Sequence, residues 1–254
     1  MSLKIAIAGL VSTLAFGQFS GMHWHVDGDT MTVTFRPPDM QVSQVPDAPY
    51  SGEQVAEYVQ TLADGTHIRQ TIARERRWRD SHGRTRTEQE LGAGRPGISN
   101  AVFVVAVILD PAAGFSYVLD DEHAIAHRFA ISARPPRPTP MVAAVPPKSA
   151  TAPSVEKLGS QNIEGVPADG MRLTRTIPIG EIGNDGPITT STETWFSRDL
   201  RLLVLTKRID QLGEHTTRLT QIDRSEPDPA LFMPPATYTV AEEKESFTMT
   251  VKRQ

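Results

Sequence analysis

Short alternations of apolar and polar residues, each stopped by Gly, Asn, Asp or Pro, recur from residue 30 to residue 222. No window carries a long apolar stripe of helical period. A period of two places successive side chains on opposite faces of a strand, so the chain reads as strands with one buried face. Met31-Thr32-Val33-Thr34-Phe35 is the first such run, stopped by Pro37-Pro38. Residues 54–61 and 66–78 flank Asp64-Gly65, a pair suited to positive φ, and Asp80-Ser81-His82-Gly83 leads into a third strand over 84–91.

After a Gly-rich loop at 92–97, residues 101–109 form a continuous apolar run, the best candidate for a fully buried strand. Turns at 110–114 and 120–122 set off strands at 115–119 and 124–129. Seven prolines between residues 132 and 153 predict an extended linker, disordered or draped over the surface. Alternation resumes in five strands, at 157–163, 171–177, 188–196, 202–209 and 216–222, with turns at 165–170, 183–187, 197–199 and 213–214. Asp228-Pro229 reads as the N-cap and first residue of one helical turn. Residues 238–240 read as a closing edge strand and 242–254 as a loose tail or extra edge strand.

The fold class expected is mainly β: a curved antiparallel sheet or incomplete β-barrel with few short helices. The expected organisation is a leader at 1–17, an N-terminal strand and loop at 18–48, and sheet halves at 49–131 and 156–240. A Pro-rich linker or insertion at 132–155 separates the halves, and a charged tail occupies 241–254.

Lys4, the apolar run 5–16 and the small residues Ala15 and Gly17 before Gln18 predict a secretory signal peptide, too short to span a bilayer. The mature chain is therefore expected to be periplasmic or secreted, with no membrane span. There is no cysteine, so disulfides, a lipid-modified N-terminal cysteine, cysteine nucleophiles and Cys-ligated zinc are excluded. A formal charge of −4 gives no general attraction to polyanions, and no nucleic-acid partner is expected.

His23 and His25 share one face of an extended chain near Asp27 and Asp29, a pattern able to contribute to a zinc or copper site, though no third ligand is identifiable. The meander carries Arg69, Arg74, Arg76, Arg77, Arg79, Arg84 and Arg86. Guanidinium pairs bidentately with phosphate and carboxylate, which makes Arg74, Arg76 and Arg77 the candidate binding residues. The plainer reading places Arg84 and Arg86 on a solvated face with Glu88 and Glu90 as cross-strand partners. No nucleophile elbow, His-Glu-x-x-His or phosphate loop is present. Asp120-Asp121-Glu122-His123 reads as a charged turn rather than an acid–base cluster, and Gly183-Asn184-Asp185-Gly186 as turn chemistry rather than a calcium loop. No enzyme activity, metal or cofactor is expected.

Two groups of segments carry a resemblance. The first is 49–55, 60–68 and 79–86; the second is 156–159, 163–166, 173–178, 193–196 and 227–238. Together they resemble a family of uncharacterised exported bacterial proteins. The stretch Asp110 to Asp120, the Glu164-Gly165-Val166 step and Leu231-Phe232 before Tyr238 are also similar to the periplasmic lipoprotein-carrier superfamily (LolA/LolB-like). That resemblance implies a strongly curved antiparallel sheet with an apolar cavity for acyl chains. The expected function is a soluble exported binding protein holding a lipid, acyl chain or lipidated partner in the concave face. The alternative is a periplasmic protein-interaction or envelope-sensing module with no small-molecule ligand; a hydrolase comes last.

Overall fold

A computed structural model describes residues 22–27, 29–35, 41–91, 103–134 and 153–252. The expected leader, the Gly-rich loop at 92–97 and residues 135–152 of the Pro-rich segment lie outside the described residues. The strands are β1 (Met22–Asp27), β2 (Thr30–Phe35), β3 (Gln41–Ser43), β4 (Tyr50–Thr61), β5 (His67–Arg79), β6 (Thr85–Leu91), β7 (Phe103–Asp110), β8 (Phe115–Asp120) and β9 (Ile125–Ala130). They continue as β10 (Ser132–Arg134), β11 (Ser154–Ile163), β12 (Val166–Ile177), β13 (Ile188–Ser197), β14 (Leu202–Asp210), β15 (Gly213–Asp223), β16 (Thr239–Glu242) and β17 (Phe247–Lys252). The one helical element among the described residues is a 3-10 turn, Pro229–Phe232. As expected, the Asp228 carboxylate caps it, accepting from the Ala230 amide at 2.9 Å.

The main sheet has twelve strands in the order β11-β12-β13-β14-β15-β4-β5-β6-β7-β8-β9-β16, and its two terminal strands do not pair with each other. A three-stranded sheet, β1-β2-β17, and a β3-β10 pair complete the described strands. The fold is thus mainly β and open, in line with the sequence. Two pairings are parallel, β16 with β9 and β10 with β3. Both join segments far apart in the chain, where no hairpin dictates direction.

Two compact units divide the chain. The first takes the described residues of 1–51, 75–136 and 225–254, and the second those of 52–74 and 137–224. In the first unit, Phe103, Val105, Val107 and Leu109 of β7 pack against Met31, Val33 and Phe35 of β2 and Met249 of β17. These side chains alternate with threonines along β2 and β17, so each strand presents one apolar face inward. The other side of β7 is buried too, with Ala106 and Ile108 against Leu119 and Ala126. The continuous apolar run is therefore a strand buried on both faces. Within this unit, the apolar face is filled by the chain's own β1-β2-β17 sheet.

In the second unit, β11 to β15 form successive antiparallel hairpins. The expected loop at 165–170 is instead a tight turn at Glu164 and Gly165, both with positive φ. Pro167 is tolerated because it precedes Asp169, the first residue of β12 to pair with β13. Gly170, which looked like a turn residue, lies beneath the Trp195 indole.

Candidate functional site

The register of the second unit sorts its side chains onto two different faces. On one face Glu156, Arg172, Glu193, Lys207 and Thr216 stand in a single row across β11 to β15. Arg172 bridges Glu156 at 3.0 Å and Glu193 at 2.9 Å, and Lys207 reaches Glu214 at 2.8 Å. Alternating charges directly opposite one another make this a self-neutralising polar surface. Trp195, which is buried, joins it by donating its indole N–H to Glu193 at 2.7 Å. Partial burial works to raise the Glu193 pKa, but the Trp195 and Arg172 bonds outweigh it and hold the carboxyl below its ordinary value.

A depressed carboxyl stabilises the fold fully above its unfolded value of about 4.3 and loses that contribution as pH falls through the lower folded value. Thermal unfolding from pH 7 to pH 3 should therefore show a fall in Tm in that acid window. Glu193→Gln should flatten the fall; an unchanged profile would remove Glu193 from the account.

The opposite face carries a different chemistry. One row is Val155, Leu173, Thr192, Arg208 and His215; the next is Lys157, Met171, Thr194, Thr206 and Thr217. Arg175 with Thr190, and Ile177 with Ile188, extend it. These rows contain no carboxylate, and none of their residues is buried. A largely half-buried surface of aliphatic and threonine side chains, edged by Lys157, Arg175 and Arg208, is the unusual feature of the unit. We term it the threonine face. Tyr58 lies beside it, its ring 4.5 Å from that of His215.

The arginines singled out in the sequence lie along β5. Arg74 pairs with Glu53 at 3.0 Å and Arg76 with Glu88 at 2.8 Å, and both stay about half exposed at 44% and 56%. Arg77 is different: it bonds Glu75 at 2.7 Å, and Glu75 is 1% exposed. Burial works against the Arg77 charge, but the Glu75 carboxylate more than compensates and raises its pKa overall. Arg84 and Arg86 do not lie on a solvated face. Arg84 pairs with buried Asp80 at 2.6 Å and stacks over Phe232, while Arg86 pairs with Glu88 and donates to the Leu231 carbonyl. The 3-10 turn covers them, which strand alternation alone does not reveal.

His23 and His25 project from the exposed side of β1. Among the described residues, the one group of three potential metal ligands within 4.8 Å of one another is Asp80, His82 and Glu226. Its carboxylates are already engaged: Asp80 by Arg84, and Glu226 by the Ser81 amide and hydroxyl. The Asp120 turn is a turn, as expected, with Asp120 accepting from the His123 amide and bonding its ring at 2.9 Å. Tyr238 donates to Asp121 at 2.7 Å, and partial burial with that carboxylate pushes its phenol up to about 12. His127, not singled out in the sequence, bonds Glu243 at 2.8 Å and stacks on Phe247. The loop at 183–186 is organised by the Asn184 side chain, which bonds the carbonyls of Pro178 and Gly186.

No family model and no curated protein matches this sequence. Among solved structures, the chain is similar to the MucA/MucB complex of Pseudomonas aeruginosa, at 14% identity and a TM-score of 0.37 over 76% of this chain and 58% of that one. It is also similar to a LolA-superfamily protein, NE2245, from Nitrosomonas europaea, at 8% identity and a TM-score of 0.27, covering 75% of this chain and 92% of that one. LprF from Mycobacterium bovis matches at 11% identity and a TM-score of 0.28, covering 72% and 90%. The structural neighbours thus include the superfamily that the sequence resembles. The chain spans less than two thirds of the MucB chains it matches.

Proposed function

We propose that this chain is an exported binding protein that holds an amphiphile with an acyl tail and an anionic head, free or attached to a protein, on the threonine face. The address is the one read from residues 1–17. One observation carries the reading: aliphatic side chains at Val155, Met171, Leu173, Ile177 and Ile188 share an unburied face with Lys157, Arg175 and Arg208, and no carboxylate stands in the two rows that hold Val155, Met171 and Leu173. Ligand surfaces combine apolar area with a few placed polar groups, and this face has that composition. The first unit supports the choice of the second, because its own apolar face is filled by Met31, Val33, Phe35 and Met249. Binding is preferred to catalysis because the Asp–His groupings at Asp80 and Asp120 are spent on holding turns.

Calorimetric titration with palmitate tests the reading. Leu173→Asp places a carboxylate among the aliphatic side chains and should weaken binding at least about tenfold, the 1.4 kcal/mol of one unfavourable polar burial. Thr176→Asp, on the charged face of the same strand, should leave binding within twofold of the parent, roughly 0.4 kcal/mol. No binding by the parent chain, or equal loss in both variants, would contradict the proposal.

A further inference from the structure

Three hairpin connections of the second unit lie at one end of its sheet, since β12, β14 and β4 all finish there and β13, β15 and β5 all start there. Each exposes large aliphatic side chains. Ile179 and Ile182 are 66% and 63% exposed, Leu212 is 63% exposed, and Leu62 and Ile68 are 38% and 40% exposed. Isolated exposed leucines are ordinary; five at one end of a sheet are not. Glycines and prolines shape these turns, but nothing in turn chemistry calls for isoleucine or leucine at their tips.

The same connections are acidic. Residues 62–66, 178–187 and 210–214 contain Asp64, Glu181, Asp185, Asp210 and Glu214 and no Lys or Arg. Strand cations meet three of them, Arg175 with Glu181, Arg208 with Asp210 and Lys207 with Glu214, which leaves Asp64 and Asp185 in excess. Between two of the tips lies a pocket of about 290 Å³, walled by Val59, Ile209 and Leu212 and edged by His67, Asp210 and Glu214. That volume is at the lower bound for a drug-sized ligand, and it suits a single anchoring side chain. Tyr58 fixes the wall by donating to the Leu212 carbonyl, and the Leu212 amide donates to Asp210 at 2.9 Å.

We propose that this hairpin rim docks a protein segment bearing cationic and apolar side chains, with one of them seated in the Val59–Ile209–Leu212 pocket. The acidic balance selects that partner over an anionic bilayer, which the excess carboxylates repel. This surface adjoins the threonine face, whose Arg175 and Arg208 pair with Glu181 and Asp210 of the rim, but it contains none of that face's aliphatic side chains.

The test uses the full-length chain and a synthetic peptide of alternating lysine and leucine, followed by fluorescence anisotropy. The parent protein binds the peptide. Ile182→Ser combined with Leu212→Ser weakens binding at least tenfold, while the circular dichroism spectrum and palmitate titration stay unchanged. Absence of peptide binding by the parent overturns the proposal, and so does equal binding by the double variant. Simultaneous loss of palmitate binding overturns it too, by making the rim part of the acyl site. Sedimentation with phosphatidylcholine vesicles, lost in the double variant while the peptide does not bind, assigns the rim to a lipid surface and also overturns it.

Discussion

Arg77→Ala should lower stability by about 3 kcal/mol, while Arg76→Ala should stay within about 1 kcal/mol. The two residues are sequence neighbours and carry the same charge, so the difference comes entirely from their surroundings. The Arg76 side chain is 56% exposed, and water and salt screen its pairing with Glu88. Arg77 is 19% exposed and faces Glu75, which is 1% exposed. Removing Arg77 strands a carboxylate where water cannot solvate it, and the penalty is that of an uncompensated buried charge. For a chain of this size the loss corresponds to a fall in Tm of roughly 6–12 °C. Glu75→Gln together with Arg77→Met removes both charges and should recover much of it, since a buried pair replaced by apolar groups is often near neutral. Equal effects for Arg76→Ala and Arg77→Ala would show that the Glu75 pair is not a structural one.

Gly170→Val should cost about 2–3 kcal/mol, an overpacking effect, and expose the Trp195 indole. A Cβ at residue 170 falls 2.6 Å from two ring carbons of Trp195, and Trp195 is 3% exposed. The ring has nowhere to retreat without breaking its bond to Glu193, which in turn holds Arg172 and, through it, Glu156. One added side chain therefore loosens the polar row that backs the threonine face. A red-shifted tryptophan emission with a lowered Tm is the expected pair of readings. An unshifted spectrum at parental stability would mean that the indole does not lie over Gly170.

Much of the strand layout was legible in the chain. Asp64-Gly65 marks the β4–β5 turn, residues 103–109 form the doubly buried strand, and Asp228-Pro229 opens the 3-10 turn. Local period and turn chemistry suffice for such features. The end of the chain reads as a loose tail or an extra edge strand, and the second holds: Phe247, Met249 and Val251 alternate with Thr248, Thr250 and Lys252 in β17, at the edge of the β1-β2-β17 sheet. What alternation could not supply was partnership. Glu75 and Arg77 are both on β5, and only burial of their shared side tells them apart from Arg74 and Arg76. The threonine face depends on register, because Thr192, Thr194, Thr206 and Thr217 come from three strands that look merely polar one at a time. A one-residue slip in any pairing would disperse them. His127 gave no local hint either, since its partners Glu243 and Phe247 lie more than a hundred residues away.

Palmitate carrying a nitroxide in mid-chain, added to the isotope-labelled protein, gives the most direct reading of where an acyl tail rests. Amide signals of Met171, Leu173, Thr192, Thr194 and Thr206 should broaden, while those of Val105 and Val118 in the filled core of the first unit keep their intensity. Broadening centred on Val105 and Val118, or no broadening anywhere, would contradict the assignment of the tail to the threonine face.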